Sequence, residues 1–341
     1  MKPEVYQSMS KSRRVSDTLD IWDFPASWHS YLAIMRVDHW FKNVFMLVGV
    51  FLSVFHNPHV LRLDNLPILI LGIMATCILA SSNYVLNEIQ DAEFDRFHPT
   101  KKFRPIPSGA VQIHIAYAEW VILAILGLVL AAFVNRWFLY TGAALFFMGL
   151  VYNVRPFRLK DLPYLDVLSE SINNPIRLLL GWFIMIPDQL PSLSLLFAFW
   201  FLGAFFMATK RFAEYRTIND PKIAEQYRKS FGYYSEPRLL SSMVFYLSLF
   251  ALCFGVFIMK YHFELILSAP VILGFTSYYF HIGFKEDSTV QAPEHLYKEK
   301  WLVLGGMVCV VTVLLLLFTD IPQLYEWFNV LSNQVSPLWK F

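Results

Sequence analysis

The chain has 341 residues, of which 56% are hydrophobic, 17% aromatic and only 16% charged, and its mean hydropathy is +0.46. Soluble domains carry about 25% charged residues, so this composition excludes an ordinary soluble enzyme, and a net charge of +2 gives no footing for nucleic acid. The three cysteines, Cys77, Cys253 and Cys309, lie in apolar runs without metal-ligand spacing and read as core thiols, not as a disulfide framework.

Residues 1–20 are polar, with Lys11, Arg13 and Arg14, and are expected to be a disordered tail; no apolar signal-peptide core is visible in the first forty residues. Residues 21–40 alternate polar and aromatic side chains (Trp22, Phe24, Trp28, Tyr31, Trp40), as an amphipathic leading helix at the membrane interface does. Uncharged runs then recur at a length close to the ~20 residues that cross a bilayer. They predict an all-α polytopic membrane protein with spans near 41–56, 66–87, 113–134, 137–153, 162–186, 194–209, 239–259, 263–283 and 301–319. The fifth is interrupted by Pro175 and carries Asp166, Glu170 and Arg177. The transmembrane domain is expected to cover 21–319, with a cytoplasmic lid at 210–238. An interfacial tail at 320–341, marked by Trp327, Phe328 and Trp339, is expected to follow it.

Lys and Arg set the orientation of such a chain. With the N-terminus in the cytoplasm, 23 of the 28 fall in inside segments and 4 outside, Arg177 being the remaining one. The protein is expected to be integral to an inner (cytoplasmic) membrane, and this distribution puts its N-terminus and polar connections on the cytoplasmic face.

The connection after the second span, Asn87 to Gly109, reads NEIQDAEFDRFHPTKKFRPIPSG. Asn87, Asp91 and Asp95 recur at i, i+4, i+8 and form one polar stripe on a helix. Orientation does not demand acids, so the stripe needs another cause. Mg²⁺ binds one or two carboxylates and completes its shell with water and phosphate oxygens. Asp91, Asp95 and the Asn87 amide suit it. Lys101, Lys102 and Arg104 just beyond, together with Lys42, Lys210 and Arg211 on other inside connections, suit a diphosphate gaining charge as it leaves. His98 is expected to position rather than ligate. Asp166, Glu170 and Arg177 read equally as a structural ion pair or as a site wall.

Nine spans with Asn87-xxx-Asp91-xxx-Asp95 after the second resemble the UbiA superfamily of intramembrane prenyltransferases. Four stretches resemble its branch that makes decaprenylphosphoryl phosphoribose. These are Arg36…Trp40-Phe41-Lys42-Asn43, His98-Pro99-Thr100-Lys101-Lys102-Phe103-Arg104-Pro105-Ile106, Lys210-Arg211-Phe212-Ala213-Glu214 and Arg228-Lys229-Ser230. The resemblance spans roughly residues 30–318. Two departures stand out: Asn87 is followed by Glu88 instead of Asp, and Lys210-xxx-Glu214 stands where aromatic prenyltransferases carry a second Asp-xxx-Asp.

The resemblance implies a helical bundle with its active site on the cytoplasmic face. It implies Mg²⁺-dependent transfer of a 5-phosphoribosyl group from phosphoribosyl diphosphate to a polyprenyl phosphate. Asp91 and Asp95 would be central, and Lys42, Lys101, Lys102, Arg104, Lys210, Arg211, Glu214 and Tyr152 would contact substrate. Homo-oligomers are a further implication. The alternatives are prenyl transfer to an aromatic or lipid acceptor, and a transporter that uses the same charges along a path.

Overall fold

A computed structural model of the chain describes residues 28–96, 101–286, 288–291 and 293–330. The expectations for the tail 1–20, for Trp22 and Phe24, for His98 and for Trp339 lie outside the described residues. Within them the chain is helical, without a strand. The elements are α1 (Trp28–Ile34), α2 (Phe45–His56), α3 (Leu66–Asp95), α4 (Ile113–Val134), α5 (Arg136–Asn153), α6 (Leu165–Ser171) and α7 (Asn173–Met185). Then come α8 (Leu193–Ile218), α9 (Pro221–Tyr227), α10 (Glu236–Tyr261), α11 (Ala269–Ile282), α12 (Lys300–Leu317) and α13 (Pro322–Trp327). A 3-10 segment, Val37–Val44, leads from α1 into α2.

Among the described residues, seven helical segments are long and apolar enough to cross a membrane: Trp28–His56, Leu63–Glu93, Ile113–Val134, Leu193–Ile218, Glu236–Tyr261, Phe263–Ile282 and Lys300–Leu317. The expected count of nine is not reached. Of the other two stretches, α5 is 18 residues long, but Arg136 and Asn153 at its ends shorten the apolar run. The second, 162–186, is split after Ser171 into α6 and α7. Pro175 has no amide hydrogen with which to bond the Ser171 carbonyl, so the helix breaks one turn before it.

Helix length explains where the polar ends lie. At 1.5 Å per residue α3 is about 45 Å long against a hydrocarbon core of about 30 Å, so its acidic last turns extend past the apolar slab. The 26-residue α8 does the same, and carries Lys210 to Ile218 as two further turns of helix. The rest of the expected lid folds as α9, capped by the Asp220 side chain, and a 3-10 turn at Lys229–Gly232.

Four buried clusters hold the described bundle, and two of them position the site. One joins α6, α8, α10 and α11 through Phe205, Phe212, Met243 and Tyr279; the other joins α2, α3, α5 and α7 through Met46, Leu79, Phe138 and Leu180. Within the second, α2 and α7 touch backbone to backbone. A Cβ on Gly181 would stand 1.9 Å from the Met46 carbonyl oxygen, and one on Gly49 would stand 2.0 Å from that of Leu178. Small residues permit this approach, and it brings α7 beside the residues that lead into α2.

Candidate active site

The stripe on α3 is formed as its spacing requires, and each acid meets cations from a different connection. Asp91 Oδ1 accepts from Lys160 Nζ at 2.5 Å and from Arg158 Nη2 at 3.0 Å, both from the turn between α5 and α6. Asp95 Oδ2 accepts from Arg104 Nη1 at 2.6 Å. Asn87 is half-buried one turn before Asp91. Glu88 points away from the stripe: it is buried, accepts from the Ile106 amide at 3.2 Å and lies 3.8 Å from Arg36. It thereby ties the basic loop to α3.

The turn after α5 is shaped around its own cations. Arg158 sits at a φ of 35° and donates also to Asp161, to the Asn153 carbonyl and to the Gln90 carbonyl. Lys160 donates to Asn153 Oδ1 at 2.9 Å, and its ammonium lies 6.0 Å from the centre of the Tyr152 ring. Burial pushes the Lys160 ammonium down to about 8, Asp91 opposing and Arg158 adding to the fall. Lys101 is lowered as well, first by burial, with Asp95 and Asp91 opposing and Arg104 and Arg228 contributing. Its ammonium stands 5.0 Å over the Tyr227 ring of α9, so the lid packs onto the basic loop.

A second charged cluster faces this one. Arg211 on α8 is buried and donates to three carboxylates: Asp166 at 3.2 Å, Glu170 at 2.8 Å and Glu214 at 3.0 Å. Asp166, fully buried on α6, also accepts from Ser230 at 3.1 Å, Tyr234 at 2.7 Å and Arg228 at 3.5 Å. Arg228 reaches the Lys160 carbonyl at 3.5 Å, and Tyr152 donates to Glu170 at 3.1 Å, so the two clusters are joined. Asp166 and Glu170 are thus partners of Arg211. The expected pairing with Arg177 is not made.

The expected site residues therefore sort by position. Asp91, Asp95, Lys101, Arg104, Tyr152, Arg211 and Glu214 converge on one end of the bundle. Lys42 and Lys210 are half-buried and act electrostatically on Glu170. Lys102 is exposed, with its ammonium 5.0 Å over its neighbour Phe103, and stands apart. Arg211 is buried, and each of its three guanidinium nitrogens donates to a carboxylate. Arg158, Lys160 and Arg228 lie at the centre of the site. Sequence alone left Arg158 and Lys160 among the orientation charges and marked Arg228 only through the resemblance of Arg228-Lys229-Ser230; their meeting with Asp91 and Asp166 distinguishes all three.

The donor set on α3 fits Mg²⁺ that takes part of its shell from phosphate. Two carboxylates and an amide are the oxygen ligands such an ion takes from protein, and the contacts to Lys160, Arg158 and Arg104 use only Oδ1 of Asp91 and Oδ2 of Asp95. Among the described residues no group of three His, Cys, Asp or Glu side chains converges to cage a metal unaided.

The family model for the UbiA prenyltransferase family matches residues 43–304. The chain is 28% identical over 228 residues to a decaprenyl-phosphate phosphoribosyltransferase of Mycolicibacterium smegmatis, covering 65% of this chain and 68% of that protein. It is 30% identical over 190 residues to the protein of that name from Corynebacterium glutamicum, covering 53% of each. Its fold is similar to that of a UbiA homologue from Archaeoglobus fulgidus solved with DMAPP and Mg²⁺. The TM-score is 0.63 and the identity 20%, covering 89% of this chain and all of that one.

Proposed function

The chain belongs to the UbiA prenyltransferase family and is a multi-span membrane transferase, and on that premise we propose that it transfers a 5-phosphoribosyl group from phosphoribosyl diphosphate to a polyprenyl phosphate. The observation that carries this reading is the guanidinium of Arg211. It donates to Asp166, Glu170 and Glu214, so those acids are engaged by a cation and not open to a second metal ion. One acidic stripe, with Arg211, Arg228, Lys42 and Lys210 set among the acids of the second cluster, suits a donor that is itself a polyanion. The names of the relatives from Mycolicibacterium and Corynebacterium support the same choice.

In this reaction a phosphate oxygen of the acceptor forms a bond to the anomeric carbon of the ribose, and the bond from that carbon to diphosphate breaks. The acceptor oxygen already carries negative charge, so no strong general base is needed. The chain's task is to position both anions and stabilise the leaving group. Mg²⁺ held by Asn87, Asp91 and Asp95 would supply charge neutralisation to the diphosphate. Lys160, Lys101 and Arg104 stand beside those acids as hydrogen-bond donors to the leaving oxygens, and Arg158 holds Asp91 in place. Lys42 and Lys210 bring further positive charge for the donor's 5-phosphate. Arg211 acts through its carboxylates: it fixes α6 and α8, and with them Arg228 and Tyr152.

The acceptor's chain needs an apolar path open to lipid. A groove of about 510 Å³ between the 3-10 segment and α12, lined by Phe41, Phe275, Tyr297, Leu302, Val303 and Gly306, supplies one. Segment 219–235, pinned to Asp166 by Arg228, Ser230 and Tyr234, serves as the lid. We place the site in the cytoplasm, following the Lys and Arg distribution.

Purified protein given Mg²⁺, phosphoribosyl diphosphate and a polyprenyl phosphate is expected to release pyrophosphate and form a ribosylated lipid. Pyrophosphate release only with a prenyl diphosphate and an aromatic acceptor would replace this reading with prenyl transfer.

A further inference from the structure

Arg104, Arg158, Lys160, Arg211 and Arg228 each meet a carboxylate within 3.5 Å; among the described residues Arg177, within the spans, makes no such ion pair, and Glu170 acts on it only at a distance. Arg177, half-buried on α7, donates from Nε to Asn43 Oδ1 at 2.9 Å and from Nη1 to the Asn173 carbonyl at 3.4 Å. Both partners are neutral, and Nη2 has no acceptor among the described residues. Asp166 and Glu170 are turned to Arg211. A guanidinium held among apolar helices without a contacting carboxylate is costly, and an anion beside it offsets that cost.

The groups around Arg177 are those of an anion site. Asn43 is fixed from behind by donating to Cys77 Sγ at 3.2 Å, which leaves its oxygen to orient the guanidinium. Tyr84, a titratable neighbour of Arg177, has a hydroxyl without a hydrogen-bond partner among the described residues; its ring meets His39 edge-on at 5.5 Å. Asn173 donates to the Glu170 carbonyl at 3.1 Å, but its Oδ1 is buried with no partner. A guanidinium, a hydroxyl donor and an orphaned acceptor together match a phosphate that still carries one proton.

We propose that Arg177, Asn43, Tyr84 and Asn173 form an anion subsite, inside the bundle and separate from the charged rim, that takes the phosphate head of the lipid acceptor. This rests on the phosphoribosyl reading above. The lipid is favoured over the donor because the 3-10 segment Val37–Val44 serves both features: Phe41 lines the apolar groove and Asn43, two residues on, holds Arg177. A chain lying in that groove brings its head group to this segment, whereas the water-soluble donor meets the rim first.

The test compares binding of a short-chain polyprenyl phosphate with that of the matching polyprenol, by tryptophan fluorescence on the detergent-purified protein without donor. Binding of phosphoribosyl diphosphate with Mg²⁺ is measured separately by calorimetry. Wild type should prefer the phosphate over the alcohol. Arg177→Gln should weaken the phosphate lipid by about tenfold or more, as loss of a charge-assisted hydrogen bond does, and leave the alcohol and the donor unchanged. Arg177→Lys should recover part of the loss. Tyr84→Phe removes a hydroxyl with no structural partner and should weaken the phosphate lipid about threefold while melting like wild type. The subsite is overturned if wild type shows no preference, if Arg177→Gln and Tyr84→Phe keep it, or if donor and lipid binding fall together. A preference that disappears in Arg177→Gln, in a protein that releases no pyrophosphate from phosphoribosyl diphosphate, would retire the proposed reaction and leave the subsite standing.

Discussion

Replacing Arg211 by methionine separates a guanidinium that organises the site from one that grips substrate. The side chain is 2% exposed and donates to Asp166, Glu170 and Glu214, whose side chains are 0%, 35% and 11% exposed. Removing one partner of a buried ion pair costs about 3–5 kcal/mol, because it strands charge away from water. The three acids lose unequal amounts. Asp166 keeps Ser230, Tyr234 and Arg228, and Glu170 keeps Tyr152, whereas among the described residues Glu214 accepts a hydrogen bond from Arg211 alone. The expected loss is therefore at the lower end, about 3 kcal/mol, or roughly 6–12 °C in melting temperature for a large domain. Thermal unfolding in detergent reads the stability and pyrophosphate release reads the turnover. Arg211→Lys is the control: one ammonium keeps the charge but cannot span three carboxylates as a planar fork does, so it too should lose stability and turnover. If Arg211→Met melts like wild type while the KM for the donor rises, the guanidinium contacts substrate and the organising role is wrong.

Asp91→Asn and Asp95→Asn should each lower turnover about 10³-fold or more with folding largely intact by size-exclusion profile; retained activity would remove the α3 stripe from the mechanism. Lys160→Met should cut kcat/KM for the donor by about tenfold or more, the scale of one charge-assisted contact, and an unchanged donor dependence would leave Lys160 with a structural role only. Removing divalent metal with a chelator should abolish pyrophosphate release, and added Mg²⁺ should restore it; activity that persists in chelator would exclude the metal. Gly181→Ala places a methyl 1.9 Å from the Met46 carbonyl oxygen and should destabilise by about 1–3 kcal/mol or more, seen as a lower melting temperature; a neutral effect would show that α2 and α7 separate easily.

Segment by segment, the sequence determined the environment of the chain. Apolar runs of bilayer length fixed an all-helical membrane protein because no other backbone satisfies its hydrogen bonds in lipid without closing a barrel. The period of a helix put Asn87, Asp91 and Asp95 on one stripe before any packing was known. The glutamate after Asn87 was equally legible: at one residue's offset it must leave the stripe, and it binds the Ile106 amide instead.

What the tertiary structure decided is which charge meets which. The sequence shows Arg158, Lys160, Arg177, Arg211 and Arg228 as cations at or within apolar runs and names no partner for any of them. Only their separation in space distinguishes them: Asp91 lies 67 and 69 residues from Arg158 and Lys160, and Arg177 lies 134 residues from Asn43. Interactions at such separations depend on helix crossings, here on the contact of Gly49 and Gly181 across α2 and α7. No local pattern encodes them. The sequence could therefore place an acidic stripe, but only the packing could show Arg211 bonded to carboxylates and Arg177 without an ion pair among the described residues.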